Sequence, residues 1–133
     1  MSREIKFRIW RAPDEYTKVS WMESWDSLLN YSMSDIFQLD NPDDVLEQFT
    51  GLKDRNGKDI YEGDILAWHS NIYRKHDWVG LVLYRGAGFA VQESDKSYSS
   101  PEWLDCACRK DANIIEVIGN IHENPELLEA QHD

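Results

Sequence analysis

Positive charge is scarce in this chain of 133 residues: 14 Lys and Arg stand against 25 Asp and Glu, for a formal net charge of −11. A protein that neutralises phosphates needs clustered Lys and Arg to release counterions, so direct nucleic-acid binding is disfavoured. The shortage is also local. Residues 19–52 contain no Lys or Arg, yet Glu23, Asp26, Asp35, Asp40, Asp43, Asp44 and Glu47 fall there; the basic residues gather at Arg3, Lys6, Arg8 and Arg11, and again at Arg74 and Lys75. Cysteine is nearly absent. Cys106 and Cys108 are one residue apart, a poor spacing for a structural disulfide or for a paired zinc ligand, and reduced thiols buried in a core are the expectation. No apolar run approaches the roughly 18 to 20 residues that a membrane-spanning helix needs, and the residues after Met1 lack the apolar stretch of a signal peptide. A cytoplasmic protein without membrane contact is expected.

What is present is apolar and aromatic mass: 41% hydrophobic residues, 12% aromatics and six tryptophans, enough to offset the conformational entropy lost on folding. The length suits a single domain over residues 1–133, divided into an N-terminal hairpin and acidic segment (1–50), a barrel-like core (51–122) and a C-terminal helix and tail (123–133). The apolar surface exceeds what one small barrel can bury, which makes a homo-oligomer one partner reading.

Ile5, Phe7 and Ile9 alternate with polar neighbours, the period of a strand with one buried face, and the Ala12-Pro13-Asp14-Glu15 turn lets Tyr16 to Met22 return as a hairpin. Glu23 to Asp40 reads as irregular with one helical turn. Asn41-Pro42-Asp43-Asp44 predicts the start of a short helix ended by Gly51, because Asn caps amides, Pro suits the first position and the carboxylates favour the positive end of the dipole. Asn56-Gly57 predicts a hairpin turn with positive φ. Tyr61-Glu62-Gly63-Asp64 is a second turn, feeding a strand from Ile65 to Trp68. Further strands are expected over Trp78 to Tyr84 and Phe89 to Gln92, about Gly86-Ala87-Gly88, then over Trp103 to Cys108 and Ile114 to Ile118, with Gly119-Asn120 breaking the last. Ser94 to Ser100 reads as loop. Asn124-Pro125 opens a terminal helix. Many short strands with two brief helices predict a mainly β fold, a small SH3-like or partly open β-barrel with an N-terminal hairpin.

Three blocks resemble the YopX family of phage and prophage proteins: Ile5-Lys6-Phe7-Arg8 with Trp10; the long block from Gln48 to Ile65; and the block from Glu116 to Leu128. The matching motif residues are Gly51, Asp54, Asn56, Gly57, Tyr61, Glu62, Gly63, Asp64, Gly119, Asn120, Asn124 and Pro125. The resemblance implies a mainly β protein, encoded by a phage or prophage and acting in the cytoplasm of a bacterial host. It brings no established activity. Arg11 departs from the pattern, which has an acidic residue after the tryptophan, and this puts the first turn in question.

Asp59, Glu62 and Asp64 are close enough in sequence to hold Mg²⁺ or share acid and base roles, but beside Gly63 their better reading is a turn in which carboxylates cap amides or face water. Cys106 and Cys108 with His69, His76 or His122 fall short of a four-ligand zinc set. No nucleophile elbow, phosphate-binding glycine loop or His-Glu-x-x-His helix occurs. No catalytic residue, metal or cofactor is therefore named, and an enzyme is the minority reading. Trp68, Trp78, Tyr84, Phe89 and Trp103 are the candidate binding residues, a stacking platform for bases or sugars on a barrel face, although strand aromatics more often fill a core. The leading expectation is a non-catalytic binding module that acts through protein contacts with an unknown host or phage partner. The alternatives are a nucleic-acid or oligosaccharide binder using those aromatics, and an acidic DNA mimic using residues 19–52 against a host nucleic-acid enzyme.

Overall fold

The computed structural model describes residues 5–13, 15, 18–32, 34–35, 39, 41–68, 78–85, 88–93, 104 and 115–129. Among the described residues the fold is mainly β, as expected, with two antiparallel four-stranded sheets, one of them a half-barrel, and two short helices, Trp25–Leu28 and Glu126–Glu129. The chain divides into two compact units, Met1–Phe49 and Thr50–Asp133.

In the first unit, β1 (Phe7–Arg11) pairs antiparallel with β2 (Trp21–Glu23), Ile9 opposite Glu23 and Arg11 opposite Trp21. This is the N-terminal hairpin, its return strand later and shorter than the predicted Tyr16 to Met22. The single helical turn expected after it is α1 (Trp25–Leu28). Ser24 caps it by accepting from the Ser27 amide at 3.3 Å. Leu28 packs with Ile9 and Trp25, and Trp25 meets the Phe7 ring edge-on at 6.1 Å.

The helix predicted from Asn41 is not found. Residues Val45–Lys53 form β3, and Val45 to Gln48 pair with β1. Asn41 does receive a backbone amide, that of Asp43, but the next bond, Asp44 N–H to the Asn41 carbonyl, closes a turn. The carboxylates meant for a helix dipole are spent elsewhere: Asp44 accepts from the Ala12 amide at 2.8 Å and from Arg11. With β1 alongside, ladder hydrogen bonds and the Arg8–Glu47 pair outweigh a local helix signal only four residues long.

β3 runs across the boundary between the units, and its later residues neighbour β4 (Asp59–Tyr61). The Asn56-Gly57 turn forms as predicted, with Gly57 at φ 80°. Its Asp54 amide donates to the Lys58 carbonyl at 2.9 Å. The half-barrel has the order β7-β6-β5-β8, built from β5 (Asp64–Trp68), β6 (Trp78–Arg85), β7 (Gly88–Glu93) and β8 (Ile115–Asn120). Its core contains Leu52, Ile60, Leu66, Val82, Phe89, Val91, Leu104 and Ile115. Leu104 has helical backbone where an extended run was expected; the rest of 103–108, the loop over 94–100 and Gly86-Ala87 lie outside the described residues.

Gly119-Asn120 was expected to break the last strand, yet β8 continues through both, opposite Ile65 and Asp64, with a bulge between Ile65 and Leu66. Gly119 is needed for space. A Cβ there would lie 2.5 Å from Asn124 Oδ1 and 2.9 Å from its Cβ. Gly119→Ala should therefore lower stability by about 1–3 kcal/mol through overpacking, read as an earlier chemical-denaturation midpoint at constant slope. An unshifted midpoint would refute the contact. After β8, α2 (Glu126–Glu129) follows Pro125. Asn124 takes the Leu127 amide on its backbone carbonyl and turns its side chain back toward the Asn120 amide at 3.3 Å.

Candidate functional site

Two polar centres stand out, one in each unit. In the first, Glu23 is 1% exposed and surrounded by donors. Arg11 reaches its Oε1 through Nε at 2.8 Å and Nη2 at 2.7 Å, while Ser27 and Tyr31 donate hydroxyls to Oε2 at 2.8 and 2.5 Å. Arg11 also reaches Asp44 Oδ2 through Nη1 at 3.3 Å. Burial by itself would raise the Glu23 carboxyl, but the hydrogen bonds from Tyr31, Arg11 and Ser27 outweigh it and hold the group below its ordinary value. The bond to Glu23 raises the Tyr31 phenol, with burial adding to it. Burial opposes the charge on Arg11, and Glu23 and Asp44 overcome that and raise it. A carboxylate held ionised in this way is a poor proton donor near neutrality. Arg8 and Glu47, paired at 2.8 Å and both buried, make a second ion pair in the same unit.

Arg11 is thus the hub of the first unit. Sequence reading named none of Arg8, Arg11, Tyr31 or these carboxylates as partners. The available signal was the basic run on β1 set against an acidic segment that returns beside it.

In the second unit the motif residues build turns and close strand ends. Asp54, 5% exposed, accepts the Asn56 and Lys58 amides on Oδ1 at 2.8 and 2.9 Å and the Val117 amide on Oδ2 at 2.9 Å. Thr50 links β3 to the Ile60 carbonyl at 2.7 Å beside Gly51, whose φ is 87°. In the next turn Gly63 has φ 86° and Asp64 accepts the Tyr61 amide at 2.8 Å, with Tyr61 and Asp64 buried and Glu62 half-buried. The capping expected at this turn is therefore what Asp64 does. Asp59 instead pairs with Lys53 at 2.8 Å. Asn120 Oδ1 accepts the His122 and Glu123 amides at 3.0 and 2.9 Å. Among the described residues no group of three or more His, Cys, Asp or Glu is arranged to hold a metal ion, and no helix is long and apolar enough to cross a membrane.

Four of the five candidate aromatics lie in described strands, Trp68 in β5, Trp78 and Tyr84 in β6 and Phe89 in β7. The backbones of Trp68 and Trp78 stand opposite each other in the β5–β6 ladder. Tyr84 and Phe89 pair across β6 and β7 with rings edge-on at 5.1 Å, but Phe89 belongs to the core and Tyr84 is 52% exposed. Trp103 lies outside the described residues.

One protein-family model, described as YopX protein, matches residues 6–129. A crystal structure of protein EF1440 from Enterococcus faecalis is similar at a TM-score of 0.54 and 28% identity, over 96% of this chain and 99% of that one. None of the curated proteins matches.

Proposed function

The chain belongs to the YopX protein family, and from that premise we propose that it is a phage or prophage accessory protein that acts in a bacterial cytoplasm as a non-catalytic, protein-binding module. The observation that carries this reading is the distribution of exposed apolar side chains. Trp21, Leu29, Tyr31, Val45 and Leu46, all in the first unit, are between 36% and 54% exposed, whereas Glu23 and Glu47 of the same unit are buried and paired with Arg11 and Arg8. Apolar side chains left in water beside satisfied charges are the composition of a protein-contact surface.

The two other readings have less support. Of the seven carboxylates in residues 19–52, Glu23, Asp44 and Glu47 already face Arg11 or Arg8 inside the unit, which leaves a sparse array for imitating DNA phosphates. Of the candidate aromatics whose side chains are described, Tyr84 presents an exposed ring and Phe89 does not, a small platform for stacking bases or sugars.

The test is capture from a bacterial host lysate by the wild-type protein and by a Trp21→Ser, Leu29→Ser variant, with circular dichroism to establish that both are folded. A partner held by the wild type and lost by the variant is the expected result. Equal capture by a folded variant would remove this surface from the interaction. A companion variant with Asp26, Asp35 and Asp43 changed to Asn separates apolar contact from charge, because an electrostatic interaction would weaken with it and with added salt.

A further inference from the structure

Trp21 and Glu23 are two residues apart on β2 and so share one face of the sheet, with Arg11 directly opposite Trp21 and Ile9 opposite Glu23. Tyr31 reaches the same place from the turn after α1, where its hydroxyl donates to Glu23 Oε2. Two aromatic side chains therefore flank the Arg11–Glu23 pair, and both stand in water: Trp21 is 44% exposed and Tyr31 40%. The charge beneath them does not balance. Arg11 faces Glu23 and Asp44, whose side chains are 1% and 5% exposed, and neither carboxylate has a second cation beside it among the described residues. One guanidinium against two carboxylates leaves the cluster with a surplus of negative charge. Around it Asp26 and Asp43 are exposed and make no ion pair among the described residues, and residues 19–52 hold no Lys or Arg to answer them.

We propose that this face docks a basic, arginine-bearing segment of the partner protein, an inference that rests on the protein-binding reading above and names the chemistry of what is bound. A guanidinium laid over the Trp21 or Tyr31 ring is attracted by the negative face of the ring, and it brings the positive charge that the Arg11 cluster lacks. Arginine suits the place better than lysine, because its planar head stacks on aromatic faces and is the more weakly hydrated of the two. Tyr31 is tethered by its bond to Glu23, and Trp21 stands on a paired strand, so part of the ordering that binding requires is already done. A nucleic acid or an acidic partner would meet repulsion at the same place.

The probe is a short fluorescein-labelled peptide of alternating glycine and arginine, followed by fluorescence anisotropy with the intact protein. Saturable binding is expected. Trp21→Leu, which keeps apolar bulk and removes the aromatic face, should weaken it roughly threefold to tenfold. Asp26→Asn with Asp43→Asn should weaken it about fivefold, whereas Glu126→Gln with Glu129→Gln, which removes the same charge from exposed positions on α2 in the second unit, should change it by less than about twofold. Equal losses from the two acidic pairs, or no loss from Trp21→Leu, would mean that the peptide answers to net charge alone and would overturn the proposal. Absence of binding to the wild type would overturn it too. If lysate capture then still depends on Trp21 and Leu29, the protein-binding reading stands without this one; if capture does not depend on them, both fall. Should Trp21→Leu fail to fold, the two acidic pairs, all at exposed positions, decide.

Discussion

Replacing Glu23 by Ala should destabilise the protein by about 3 kcal/mol, the lower part of the range for breaking a buried ion pair. The loss arises because Arg11 and the Tyr31 and Ser27 hydroxyls lose the acceptor they share, while Asp44 keeps one 3.3 Å contact with Arg11 and limits the damage. For a chain of this length that is a fall in melting temperature of roughly 10 °C. Glu23→Gln, which retains an acceptor for the hydroxyls but no charge for Arg11, should fall between Ala and wild type. The pH profile supplies the independent check. Glu23 is held below its ordinary value of 4.5, so its contribution is complete above that pH and is lost as the pH falls through the folded-state value. Tyr31 is held above its ordinary 10.0, so its contribution is complete below that pH and is lost on the alkaline side. Both limbs should flatten in the Ala variant. A melting point within roughly 2 °C of wild type, with unchanged limbs, would show that the network contributes nothing to stability.

Leu66→Ala should lower stability by about 2–5 kcal/mol through the cavity it leaves in the second unit. Leu66 is fully buried and lies in one cluster with Ile60, Val82, Val91, Leu104 and Ile115. Its partner across β6 is Gly80, which has no side chain to move into the space. Collapse of the site is therefore hindered, and the upper half of the range is expected from urea denaturation. A loss below about 1 kcal/mol would mean that this cluster is loosely packed. Because Glu23 lies in the first unit and Leu66 in the second, the pair also reports on cooperativity. If the units melt separately, each variant moves a different transition.

Much of the fold was readable along the chain wherever a few adjacent residues restrict the backbone. Asn56-Gly57 and Gly63-Asp64 do so through positive φ and a short side-chain acceptor, and both turns stand where they were expected. Alternation over Phe7 to Arg11 and the apolar runs of β5 to β8 followed from the same local pattern. Asn41 to Thr50 carries no comparable restriction, because Asn-Pro-Asp-Asp closes a turn before a strand as readily as it opens a helix. The Arg8–Glu47 pair joins residues 39 apart, and both it and the ladder with β1 lie beyond the reach of any local pattern.

The identities of turns, the scarcity of basic charge and the mainly β character are properties of short stretches and of composition, and the linear order of residues already contained them. Which acids are spent on folding and which remain at the surface was decided by three-dimensional packing: Glu23, Asp44 and Glu47 are paired because strand pairing carries Arg11 and Arg8 against them. The same holds for Asp54, whose second oxygen meets a strand 63 residues away. Coulomb attraction and hydrogen bonding act over a few ångströms, and only the folded backbone brings such distant groups that close.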